Sequence, residues 1–162
     1  MALVIGYDVG SSSIKASLFD TETQTVLADA TSPNKELEII AEKTGFAEQH
    51  PDTWWKHVTL ATQEIKQKNN FNPDDVKAIG ISYQMHGLVV VDKNYNPLIP
   101  SIIWCDSRAV ETGKLAAQHI GTEKCLRNLF NLPGNFTASK LKWVKDNKPE
   151  VFKKIHKFML PG

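Results

Sequence analysis

The chain has 162 residues, 41% of them apolar and 23% charged, with a formal net charge of +1. That is enough chain for one domain with a buried core, and a near-neutral charge without basic blocks argues against a nucleic-acid or membrane-surface partner. No apolar run could span a bilayer, the N-terminal run stops at Asp8 without a basic leader, and Cys105 and Cys125 lack CxxC or histidine-pair spacing, so a cytoplasmic protein with two reduced thiols and no zinc site is expected.

The chain opens with two short apolar runs around a Gly/Ser turn. Leu3, Val4 and Ile5 lead to Asp8; after Gly10-Ser11-Ser12-Ser13, Ile14, Ala16 and Leu18 alternate with Lys15, Ser17 and Phe19 at a strand's period of two. Thr25 to Thr31 follows a polar turn, which makes an antiparallel meander. Residues 32–50 read as an irregular connection. Pro51 then opens a helix whose face carries Trp54, Val58, Ala61 and Ile65, with Asp52 in its first turn and Lys66 and Lys68 in its last.

Val76 to Ser82 is a strand in which Gly80 points to a close backbone approach. Tyr83 to Gly87 precedes the apolar run Leu88 to Val91, and Leu98 to Trp104 reads as a short strand interrupted by Pro100. A helix is expected from Asp106 or Ser107, as N-cap, to about His119, closed by Gly121. Thr122 and Thr137 cap two further helices, Pro149 opens a fourth, and a strand begins at Lys157. This order predicts an α/β fold: a mixed sheet that begins with an antiparallel meander and is flanked by helices. The absence of GxGxxG after the first strand disfavours a dinucleotide-binding start.

Two stretches carry chemistry. Gly10 and the serines Ser11, Ser12 and Ser13 offer backbone N–H groups and hydroxyls to an anion, and Asp8 could hold the water shell of Mg²⁺ on a nucleotide. Asp8 can equally end a strand and cap a turn, and Lys15 can be a solvated strand lysine rather than a phosphate contact. His86, between Met85 and Gly87 at a strand end, can hydrogen-bond a hydroxyl, with Met85 as an apolar wall and Gly87 giving close backbone approach. Asp106 and Arg108 read either as helix-capping and surface charges or as polyol contacts. Trp54 and Trp55 read as core and groove packing rather than ligand stacking, with Trp54 on the apolar stripe; one of the pair is expected to be half exposed and could line a ligand cleft.

Taken together, these stretches resemble one family. Gly6-Tyr-Asp8-Val-Gly10-Ser-Ser-Ser-Ile-Lys15 resembles the first phosphate motif of the sugar-kinase, actin and heat-shock ATPase superfamily. Glu48-Gln-His-Pro-Asp-Thr-Trp54-Trp55, Gln84-Met85-His86-Gly87 and Ile103-Trp104-Cys105-Asp106-Ser107-Arg108 are similar to segments of the FGGY carbohydrate kinases, the second and third to segments of their xylulokinase branch. The tail from Pro133 through Lys140 and Trp143 to Pro161 also fits.

The resemblance implies a ribonuclease-H-like domain and ATP-dependent phosphorylation of D-xylulose, with ATP and Mg²⁺ at Asp8, Gly10, Ser11, Ser12, Ser13 and Lys15. It implies a sugar at Gln84, Met85, His86, Gly87, Trp104, Asp106 and Arg108. It also implies that residues 1–162 are most of the N-terminal domain, with the general-base aspartate and the C-terminal domain beyond residue 162 and the isolated chain inactive. Cys105 and Ser107 stand where relatives often carry Asn and Gly, so gluconate, ribulose and glycerol stay open as substrates. A non-catalytic sugar- or nucleotide-binding module, an actin-like structural protein and a homodimer are further alternatives.

Overall fold

The alternation in the first two runs produces a hairpin, β1 (Leu3–Val9) and β2 (Ile14–Asp20), and the third run adds β3 (Thr25–Ser32). These assignments come from a computed structural model that describes residues 2–162. The chain falls into two compact units: one comprises the segment up to Glu38, Asp52–Gln84 and Gly162, the other Ile39–Pro51 and Met85–Pro161.

In the first unit the sheet order is β3-β2-β1-β5, where β5 is Val76–Tyr83. The meander strands are antiparallel and β5 runs parallel to β1, with Gly6 opposite Gly80 and Asp8 opposite Ser82. The expected mixed sheet is present. The helix α1 (Pro51–Lys68) starts at the predicted proline and buries Trp54, Ala61 and Ile65, while Trp55 is exposed. Ala61 and Ile65 join Leu3, Ile5, Ala16, Leu18, Ala28, Ala30 and Phe71 in one core.

Gly80 does not mark a close approach: a methyl group there would meet only open space. Its strand is the sheet's edge, and Ile79 and Ile81 are both more than half exposed.

The second unit holds two short ladders, β4 (Glu48–Gln49) with β7 (Ser101–Ile102), and β6 (Val89–Val91) with β8 (Lys157–Met159). The predicted Leu98–Trp104 strand shrinks to two residues, consistent with Pro100 lacking a donor for a ladder. Helices α2 (Val110–Ile120), α3 (Thr122–Leu129), α4 (Thr137–Asn147) and α5 (Pro149–Phe152) follow. Leu88, Val90, Ile102 and Val144 form the core, with Phe152 and Ile155 against it. Helix α3 buries Cys125 and leaves Leu126, Leu129 and the following Phe130 exposed.

Gly113 lets α2 lie directly on the turn at Pro133–Asn135, because a methyl group there would run into the backbone of Pro133 and Gly134. Gly113→Ala therefore loses more by overpacking than it gains in helix propensity. It should lower unfolding stability by about 1–3 kcal/mol in a urea titration, and a variant at least as stable as wild type would refute this packing.

Candidate functional site

The Gly/Ser turn between β1 and β2 is closed by the Gly10 N–H donating to the Ser13 carbonyl at 3.1 Å. A methyl group on Gly10 would stand 2.9 Å from that same oxygen, so the turn needs glycine. Asp8 and Lys15 face each other across the hairpin, Nζ to Oδ2 at 3.7 Å, with both side chains more than half exposed. Ser12 accepts the Leu37 N–H through its carbonyl, which ties the turn to its own unit. One exposed carboxylate beside a Gly/Ser turn suits a hydrated divalent cation on a polyphosphate better than a protein-enclosed metal. Among the described residues no group of three or more His, Cys, Asp or Glu side chains could hold a metal ion.

Gln84 ends the first unit, its N–H donating to the Val9 carbonyl at 3.1 Å. The residues after it form a turn in the second unit. His86 has φ +60°, the left-handed region, where a residue with a Cβ is strained. Its ring lies flat on Phe136, centroids 4.6 Å apart and planes 13° apart. Burial first, and the Lys140 ammonium second, hold its pKa below the usual histidine value. Met85 is exposed beside it.

Gly87 is buried, and a methyl group there would strike the Pro161 ring. Its missing side chain thus makes room for Pro161, a role additional to the close ligand approach expected of it.

Trp104 is half exposed. The two charges after it are placed differently. Asp106 is fully buried, and its Oδ2 accepts from the Ala47 N–H at 2.6 Å and from Arg108 Nη2 at 2.7 Å. Oδ1 accepts from the Arg108 N–H and Nε, each at 2.9 Å. The Arg108 side chain is 1% exposed; Nη1 makes a charge contact with Glu48 Oε1 at 2.7 Å, and the guanidinium sits 3.7 Å from the Phe46 ring centroid and 5.1 Å from that of Trp143.

The expectation of Asp106 and Arg108 as surface charges and helix caps is therefore corrected. Their polar groups are spent on each other, on Ala47 and on Glu48, inside the protein. Helix α2 accordingly starts later than predicted, after Ala109 and without a side-chain cap.

The grouping that sequence reasoning missed is the start of α4. Lys140 is fully buried, and its Nζ donates to the carbonyls of His86 at 2.8 Å and Ile103 at 3.0 Å. Thr137 Oγ1 donates to the Gly87 carbonyl at 3.2 Å, and Asn135 Nδ2 donates to the Trp104 carbonyl. Thr137 is thus a donor to another loop and not the cap of its own helix. A lysine flanked by Ser139 and Leu141 in a helix gives no sequence sign that its ammonium points inward. Burial pushes the pKa of Lys140 down to about 8, against the opposing pull of Asp106 and Cys105.

The N-terminal domain of the FGGY family of carbohydrate kinases matches residues 3–162. The chain is 32% identical to a xylulose kinase of Haemophilus influenzae, over 98% of this chain and 33% of that protein. With a xylulose kinase of Bacillus subtilis the identity is 35%, over 99% and 32%. Among solved structures, a kinase described as a xyloylose kinase from Brucella ovis superposes with a TM-score of 0.86 at 31% identity, covering 98% of this chain and 32% of that one. A gluconate kinase from Lactobacillus acidophilus gives 0.84 at 27%, covering 99% and 31%. The chain spans about a third of the length of the curated relatives it matches. From residue 3 to residue 162 it belongs to the FGGY family of carbohydrate kinases, as the N-terminal domain of that family.

Proposed function

We propose that this chain is the N-terminal part of an ATP-dependent pentulose kinase that converts D-xylulose to D-xylulose 5-phosphate in the cytoplasm. The observation that carries the reading is the turn at Met85–Gly87. A strained histidine, an apolar side chain and a nearby exposed indole are presented together, in a chain whose matched curated relatives are xylulose kinases. In this reading the Met85 and Trp104 side chains cover the C–H faces of the sugar. His86 exchanges hydrogen bonds with its hydroxyls, and Gln84 belongs to the same set. Asp106 and Arg108 hold the Trp104 loop in place from within.

The Gly10–Ser13 turn orients the phosphates by its N–H and hydroxyl groups, with Asp8 holding water on the metal and Lys15 adding positive charge. Mg·ATP, when bound, supplies the phosphoryl group and neutralises the charge that develops on it. The base that takes the proton from the sugar hydroxyl belongs to sequence outside these residues, so the isolated chain does not turn the sugar over. Gluconate is the second reading, favoured by the gluconate kinase that superposes at a TM-score of 0.84.

An ADP-release assay on the full-length kinase with a panel of xylulose, ribulose, gluconate and glycerol tests the assignment; turnover of gluconate but not xylulose would replace it. His86 is neutral at pH 7 because its pKa is lowered, and a neutral ring can accept as well as donate. The KM for sugar is therefore expected to be flat at neutral pH and to rise only on acidification below the usual histidine value of 6.5. A KM that rises already from pH 8 to 7 would contradict a neutral His86.

A further inference from the structure

Four contacts from the side chains of Asn135, Thr137 and Lys140 end on main-chain carbonyls, and those carbonyls come in two adjacent pairs: His86 with Gly87, and Ile103 with Trp104. The two gripped loops are the ones that present Met85, His86 and Trp104. Of these three side chains, Lys140 reaches both loops. We propose that Lys140 is a positioning residue, whose ammonium staples the His86 turn to the Trp104 loop and fixes the His86 ring for a ketose hydroxyl. This inference rests on the sugar-kinase reading above.

The chemistry of the site favours positioning over simple filling of the core. A buried ammonium is costly, and carbonyl oxygens compensate it less fully than a carboxylate does. An apolar side chain of the same length would fill the space at lower desolvation cost. What only a multi-donor head group can do is hold two carbonyls from separate loops at once.

The His86 backbone needs such a hold. A left-handed conformation at a residue with a Cβ persists where its surroundings over-determine it. Here they do so through the Lys140 bond to its carbonyl, the Thr137 bond to the next carbonyl and the Phe136 ring beneath its imidazole. All three come from the start of α4. The same ammonium adds to the effect of burial in lowering the pKa of His86.

The test has two readouts. In the proton NMR spectrum of the 162-residue chain, the His86 ring signal, identified by its loss in His86→Gln, is displaced upfield by the Phe136 ring below it. Lys140→Met should remove that displacement, and in the full-length kinase it should raise the KM for sugar about tenfold or more while leaving the KM for ATP unchanged. Thr137→Val, a near-isosteric change that drops only the Gly87 contact, should move both readouts in the same direction by less; it decides the matter if Lys140→Met fails to fold. A His86 signal that stays in place in these variants overturns the positioning role. A signal that moves while the sugar KM holds supports the staple and instead overturns the assignment of this turn to the sugar.

Discussion

Arg108→Ala is expected to unfold the unit that contains it, or to leave it barely stable. The side chain is 1% exposed, and the carboxylates of Asp106 and Glu48 beside it are nearly as inaccessible. Removing the guanidinium leaves two buried negative charges facing a void, and it also strips the Phe46 and Trp143 rings of the cation between them. Breaking a buried ion pair from one side costs about 3–5 kcal/mol, a large share of the 5–15 kcal/mol that holds a typical domain together. Glu48→Gln keeps the shape and removes one charge, so its cost should be nearer 1–2 kcal/mol. Urea titrations of both variants separate the cases. An Arg108→Ala protein within about 0.5 kcal/mol of wild type would mean that the network contributes nothing to stability.

Asp8→Asn should have the opposite profile, with stability kept and activity lost. The carboxylate is half exposed, and its partner in the structure, Lys15, is an exposed neighbour at 3.7 Å, a pair worth little to the fold. In the full-length kinase the same substitution removes the carboxylate beside the Gly10–Ser13 turn. If that charge holds the hydrated metal, kcat falls by about 100- to 1,000-fold, the range for loss of one preorganised electrostatic contact. The KM for sugar should stay near its wild-type value. Activity within a few-fold of wild type would take the hairpin out of the reaction.

Much of the fold was legible because its signals are local. Period-two alternation gave the meander, Pro51 gave the start of α1, and Gly121 gave the end of α2. The failures have long-range causes. Asp106 looked like a helix cap because Asp often is one. The structure spends its oxygens on Arg108 and on Ala47, and the latter lies in a segment that looked structureless. The candidate site stands out in the sequence as motifs, in Gly10–Ser13 and in Gln84–Gly87, and comparison with known proteins supplied the family. The support behind those motifs was not legible. Lys140, Thr137 and Asn135 act on backbone oxygens some thirty to fifty positions away, and a carbonyl acceptor leaves no mark in a sequence.

A grip on main-chain oxygens is indifferent to which side chains the gripped residues carry. Met85, Trp104 and Cys105 can therefore be exchanged without loosening the loops that display them, since the gripped carbonyls of His86, Gly87, Ile103 and Trp104 stay in place as anchors. Such a frame uncouples the stability of a binding surface from its specificity. If this surface is the sugar site proposed above, a lineage with this frame can change the sugar it accepts by altering a few displayed side chains, while Asn135, Thr137 and Lys140 stay as they are.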